Sequence, residues 1–144
     1  MAYELSFDPA RMDVDVIHGY LRRSYWSEGI RRDVVEAAIR GSIVLGAFEK
    51  ASGKQVAYAR AVTDRATFAW LCDVFVLEEH RGRGISKEMV RAMMAHPELQ
   101  TLRRWCLATR DAHGLYVQNG FEEVPAGRWL EKRLSVEGWK EQQS

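Results

Sequence analysis

The chain has 144 residues, 47% apolar and 28% charged, a length and balance that suit one domain with its own core and no long disordered tract. Its 21 basic and 20 acidic side chains leave a formal charge of +1, which excludes a general pull toward nucleic acid or anionic membrane, so any anion site must be local. No run reaches the roughly 18–20 apolar residues of a membrane span, and no apolar signal core opens the chain, so a cytoplasmic protein is expected.

Tyr3 to Phe7 alternates as a half-buried strand does, closed by Pro9. From Asp13, a predicted N-cap, Val14, Ile17, Tyr20 and Leu21 recur at helical steps, predicting a helix to about Ser24. Tyr25-Trp26-Ser27-Glu28-Gly29 reads as a loop, followed by a short helix with Val34, Val35, Ala38 and Ile39 on one face and Gly41 at its end. Residues 43–48 and 56–62 predict a hairpin turning at Ala51-Ser52-Gly53-Lys54. Residues 68–77 form the next strand, nearly continuous in apolar character from Leu71 to Leu77 with Asp73 as its one charge.

A glycine turn follows, and then Ile85, Met89, Ala92, Met93 and Ala95 mark a helix stopped by Pro97. Residues 104–109 read as a strand and residues 112–118 as a short helix capped at Asn119-Gly120. Residues 121–124 and 128–134 read as closing strands around Pro125, and the polar tail, residues 137–144, as frayed. The order βααβββαβαββ indicates a single α+β domain over residues 1–144, with its core over residues 3–134. Cys72 and Cys106 sit in apolar runs as reduced core thiols, and no CxxC or His/Cys cluster points to a metal.

Arg81-Gly82-Arg83-Gly84-Ile85-Ser86 joins a buried strand to a helix. Amides at a helix start lack partners, and glycines clear the space before them, so such a turn can cradle phosphate; Arg81 and Arg83 supply guanidinium forks. A Gly-x-Gly turn is also a common tight connection without any ligand. It is no P-loop, lacking Gly-Lys-Ser/Thr, and no dinucleotide fingerprint, since Met89 stands near where a third glycine would be needed.

Residues 74–86, Val-Phe-Val-Leu-Glu-Glu-His-Arg-Gly-Arg-Gly-Ile-Ser, resemble the signature of the GNAT family of N-acetyltransferases, whose turn reads Arg/Gln-x-x-Gly-x-Gly/Ala. Arg81 and Gly84 match, and Ser86 replaces the usual Gly or Ala. Residues 112–121, Ala-His-Gly-Leu-Tyr-Val-Gln-Asn-Gly-Phe, resemble the family's Ala-x-x-Leu-Tyr-x-x-x-Gly-Phe. The resemblance implies a mixed, mostly antiparallel sheet flanked by helices, with acetyl-CoA as cosubstrate and no metal. Its pantetheine would pair with the main chain of Val74 and Val76, and its pyrophosphate would rest on the amides of Gly82, Arg83, Gly84, Ile85 and Ser86.

The implied reaction is acetyl transfer to an amine by direct attack, with Tyr116 in the position of the family's general acid, or else simply packing beside Leu115 and Phe121. Asp73, a carboxylate in an apolar strand, is either the general base or a structural partner of a cation such as Arg60. Asp111 and His113 are weaker base candidates. Tyr25, Trp26 and Glu28 are candidates for the acceptor wall, with Trp70 and Phe68 beside them, or else simply cover the core. His18, His80 and His96 read as solvated or packing residues. The acceptor is a small amine or a protein amino group. The competing reading is a non-catalytic acyl-CoA sensor. A nucleic-acid module built on Arg31-Arg32 and Arg103-Arg104 lacks any supporting motif. Trp129 and Trp139 serve either a homodimer contact or ordinary packing.

Overall fold

A strand that is apolar on both faces needs a layer on each side, and the computed structural model, which describes residues 2–144, supplies both. In chain order its elements are β1 (Tyr3–Ser6), α1 (Val14–Leu21), α2 (Arg32–Arg40), β2 (Ile43–Glu49), β3 (Gln55–Thr63), β4 (Phe68–Val76), α3 (Ile85–Met94), β5 (Arg104–Cys106), α4 (His113–Val117) and α5 (Val136–Gln143). The sheet order is β1-β2-β3-β4-β5, antiparallel throughout except for the parallel pair β4/β5, which α3 connects. The α+β class expected from the sequence is the class observed.

Strand alternation divides the core in two. Ile43, Leu45, Ala47, Ala57, Ala59 and Ala61 face α3, which buries Ile85, Met89, Val90 and Met93 against them. Val44, Phe48, Tyr58 and Phe75 face the other way, onto Ile17 and Leu21 of α1 and Val35 and Ile39 of α2. Asp13 caps α1 as expected, its carboxylate accepting from the Val16 N–H at 3.3 Å, and the helix ends at Leu21 rather than Ser24.

Alternation slips twice: at Ala47/Phe48 in the β2/β3 pair, where Val56 is the extra residue, and in the β3/β4 pair. In the latter, Tyr58 pairs with Phe75 and Arg60 with Cys72, so two residues of β4, Asp73 and Val74, oppose the single Ala59. This is a β-bulge, and Asp73 takes a left-handed φ of 55°. Leu71 and Val74 consequently face α3 together, and Asp73 is turned onto the α1/α2 face beside Arg60. In a regular strand Asp73 would share the face of Leu71.

Three expectations at the carboxyl end are corrected. β5 spans only residues 104–106, not 104–109. The closing strands at residues 121–124 and 128–134 do not form. A ladder needs a neighbouring edge, β5 offers three residues, and Pro125 contributes no donor, so Leu130 stays 93% exposed. Trp129 lies instead beneath the guanidinium of Arg104, 5.6 Å from its ring centre.

The tail is a helix, not a frayed end. Ser135 caps α5 by accepting from the Gly138 N–H at 3.0 Å, the Trp139 indole N–H donates to the Glu28 carbonyl at 2.8 Å, and Gln143 accepts from the Arg31 N–H at 2.8 Å. Trp139 packs on the α1/α2 core of its own chain. Trp139→Ala should therefore cost about 1–2 kcal/mol, less than the 3–5 kcal/mol typical of a fully buried aromatic, and urea denaturation checks it.

Candidate active site

β4 pairs with β5 only from Phe68 to Trp70. Beyond that point the chain after β5 diverges while β4 runs on to Val76, and a cleft of about 1120 Å³ opens between them. The Leu77 N–H bonds the Val56 carbonyl at 2.8 Å, which sets which residues bond toward β3. By strand alternation Phe75 also bonds toward β3, and the main chain of Val74 and Val76 points to the open edge. The Val76 carbonyl there accepts from Arg81 Nε at 3.0 Å.

At the end of that edge lies the glycine turn. Gly82 and Gly84 both have φ near 78°, a left-handed conformation that side chains resist. Glu88 is the first residue of the following helix to bond back, to the Gly84 carbonyl; the amides before it, from Gly82, find no acceptor among the described residues. A Cβ on either glycine would meet nothing within 4 Å. Val76, His80, Gly82, Gly84, Ser86, Lys87 and Leu115 line a second hollow of about 290 Å³ here. These groups fit a pyrophosphate: unpaired donors at a helix start, cleared space, and nearby cations.

Both arginines of the turn are braced. Arg81 also donates to the Tyr20 hydroxyl at 3.0 Å, and Arg83 to the Tyr3 hydroxyl at 3.0 Å; Tyr3 in turn contacts His80 Nδ1 at 2.8 Å. Arg81 thereby touches both the turn and the cleft.

Tyr116 reaches the cleft from α4 and is only 8% exposed. Burial, then the neighbouring Tyr25 and Asp111, push its phenol above the ordinary value of 10.0. Its ring packs edge-on to Phe121 at 5.9 Å. Tyr20, Tyr25, Trp26 and Trp70 add aromatic walls. Tyr25 and Trp26 meet edge-on at 5.1 Å, and Arg110 from the far wall sits 3.7 Å over the Tyr25 ring.

Asp73 lines the cleft, but both of its oxygens are engaged. Oδ2 accepts from Arg60 Nε at 2.8 Å and Oδ1 from the Trp26 indole N–H at 3.0 Å. The pairing with Arg60 that the sequence offered as one alternative is present. Glu28 is not brought to the cleft; it lies exposed, its carbonyl held by Trp139. Asp111 lines the cleft, and His113 starts α4 outside its lining.

Cys72 also lines the cleft, and burial pushes its thiol up to about 12. Cys106 is buried, and burial raises its thiol too. Thiolate is the reactive form, so native protein at pH 8 should resist iodoacetamide at both positions and label both once unfolded, as mass spectrometry would show. Among the described residues no His, Cys, Asp and Glu cluster could hold a metal, and no helix is long and apolar enough to cross a membrane.

Sequence reasoning missed Tyr3, Tyr20, Lys87 and Arg110. Lys87 sits one residue beyond the turn and had a local signal. The others arrive from distant segments, and nothing in their own neighbourhoods marks them.

The profile of the acetyltransferase (GNAT) domain matches residues 40–123. The chain is 32% identical over 139 residues to a Gibberella zeae protein to which acetyltransferase activity is ascribed, covering 81% of this chain and 77% of that one. It is similar to a crystal structure from Xanthomonas campestris assigned to the GNAT acetyltransferases, at 46% identity and a TM-score of 0.87, covering 92% and 93% of the two chains. A Clostridium acetobutylicum protein solved with acetyl-CoA shares the fold at 16% identity and a TM-score of 0.66, over 91% of this chain and 94% of that one. The open edge, the glycine turn and these likenesses agree: the chain belongs to the GNAT family of acetyltransferases.

Proposed function

We propose that this protein transfers an acetyl group from acetyl-CoA to a primary amine, with Tyr116 as general acid. The observation that carries this reading is the continuity of the open edge at Val74 and Val76 with the unpaired amides of Gly82 to Ser86, with Tyr116 in the same cleft. Bound acetyl-CoA supplies an activated acetyl thioester. The main chain of Val74 and Val76 would hold the pantetheine arm, and the amides of residues 82–86, with Arg81 and Arg83 beside them, the pyrophosphate. Pairing along the edge requires Arg81 to release the Val76 carbonyl, which frees its Nε for phosphate while the Tyr20 hydroxyl still braces the guanidinium.

An alkyl amine with a pKa near 10.4 is neutral in only about one molecule per thousand at pH 7.4, and removing its proton costs roughly 4 kcal/mol. Partial desolvation of a bound amine would disfavour its ammonium form and lower that cost. With both Asp73 oxygens occupied, water in the cleft is the better-placed carrier of the released proton. Tyr116 keeps its proton at neutral pH and can deliver it to the departing sulfur.

A sensor without catalysis is the alternative; it would need the Tyr116 ring for packing but not its hydroxyl as a proton donor to a thiolate. A cytoplasmic location fits the two free thiols. Screening primary amines and lysyl peptides for acceptor-dependent release of the CoA thiol tests the reading. Tight acetyl-CoA binding with no release by any acceptor would favour the sensor.

A further inference from the structure

We propose that Asp73 is a positioning residue for the amine acceptor, acting by fixing Trp26 as one wall of the cleft. The inference rests on the reading of the cleft as the site of acetyl transfer. It begins with the backbone. Asp73 is held at φ 55°, a left-handed conformation that non-glycine residues adopt only at a cost, and the bulge it belongs to moves its carboxylate from the α3 face to the α1/α2 face. There the side chain is only 8% exposed.

A chain of contacts then crosses the site. The buried Ser42 accepts from Arg60 Nη1 at 3.1 Å, Arg60 Nε donates to one Asp73 oxygen, and the other oxygen accepts the Trp26 N–H. Trp26 packs on Tyr25, and Tyr25 carries Arg110 from the opposite wall. The loop bearing Tyr25 and Trp26 has Ser24 as an internal brace, its hydroxyl donating to the Leu21 carbonyl and accepting from the Ser27 N–H. The Trp26 indole reaches out of that loop to the sheet, and Asp73 is the group that receives it.

Asparagine is nearly the same size and can keep only one of the two acceptor roles, because its amide nitrogen would face either Arg60 or the Trp26 N–H as a second donor. With the best-turned-over amine from a panel of tyramine, spermidine and a lysyl peptide, Asp73→Asn and Trp26→Phe should each raise the acceptor KM about tenfold, the loss of one charge-assisted contact. The double variant should show no further rise, because the two residues act as a unit. Acetyl-CoA Kd should stay within twofold, and the rising alkaline limb of kcat should keep its position. In the unliganded protein, the Trp26 emission, taken as the difference from matching Trp26→Phe spectra, should shift to longer wavelength in Asp73→Asn.

Additive KM effects, an unchanged KM in Trp26→Phe, no emission shift, or loss of the alkaline limb with KM unchanged would each overturn the proposal; the last would make Asp73 the base. If Asp73→Asn folds too poorly for kinetics, Trp26→Phe, which keeps an aromatic ring and removes the N–H that Asp73 accepts, still tests it, since an unchanged KM there overturns the proposal. A wild-type protein that binds acetyl-CoA but releases no CoA with any amine would sink the catalytic reading instead, while the emission shift would still report on the Asp73–Trp26 contact.

Discussion

Tyr116→Phe should lower kcat about 10²-fold or more, the usual contribution of a positioned acid, while acetyl-CoA Kd moves by less than twofold. The ring of Tyr116 packs against Phe121, and phenylalanine preserves that packing, so the variant should fold with an unchanged Tm. Only the hydroxyl is lost, and no main-chain contact along the β4 edge or the glycine turn depends on it. The pH profile gives a second check. Because burial and its neighbours raise the Tyr116 phenol above 10.0, its protonated form persists through neutral and mildly alkaline pH. Turnover in the wild-type protein should therefore rise with pH as the amine deprotonates, with no fall from loss of the acid below pH 10. Stopped assays of CoA release from pH 6 to 10 would show this, and a turnover unchanged by Tyr116→Phe would remove that residue from the mechanism.

Where the sequence was legible, local physics decided the outcome. Met89 and Met93 lie four residues apart on one helix face, Asp13 stands before a helical stripe, and residues 71–77 are apolar on both faces; each needed only its near neighbours to be read. The glycine turn was legible for the same reason, since its function lies in backbone groups that two glycines expose. The Asp73 bulge was not. Its cause is a register slip against β3, and a slip reverses which face a carboxylate occupies without changing a single letter of the strand. Residues 121–134 misled in the opposite direction. Their short apolar stretches around Pro125 read as strands, but a strand forms only where an edge receives it, and β5 is too short to do so. Glu28 and Trp139 show the same limit: the pair is joined across 111 residues, and neither neighbourhood announces the other.

Gly84→Val should abolish acetyl-CoA binding and leave the fold standing. The two effects separate because the glycine serves the ligand side and the core lies beneath it. At φ 78° a valine costs about 1–2 kcal/mol in backbone strain. The Cβ itself meets nothing within 4 Å, so no packing term is added, and Ile85 and Met89 below stay buried. For a domain of this size that is a fall in Tm of roughly 2–8 °C. On the ligand side the new side chain projects into the space that the unpaired amides face. Losing two charge-assisted bonds at about 1.5–3 kcal/mol each weakens binding at least 100-fold. Gly53→Val supplies the control, because Gly53 has φ 74° and open space in the β2–β3 turn, away from either hollow. It should lose similar stability and keep full acetyl-CoA affinity by calorimetry. Equal affinity in the two variants would mean that the Gly84 turn is a connection between a strand and a helix and holds no phosphate.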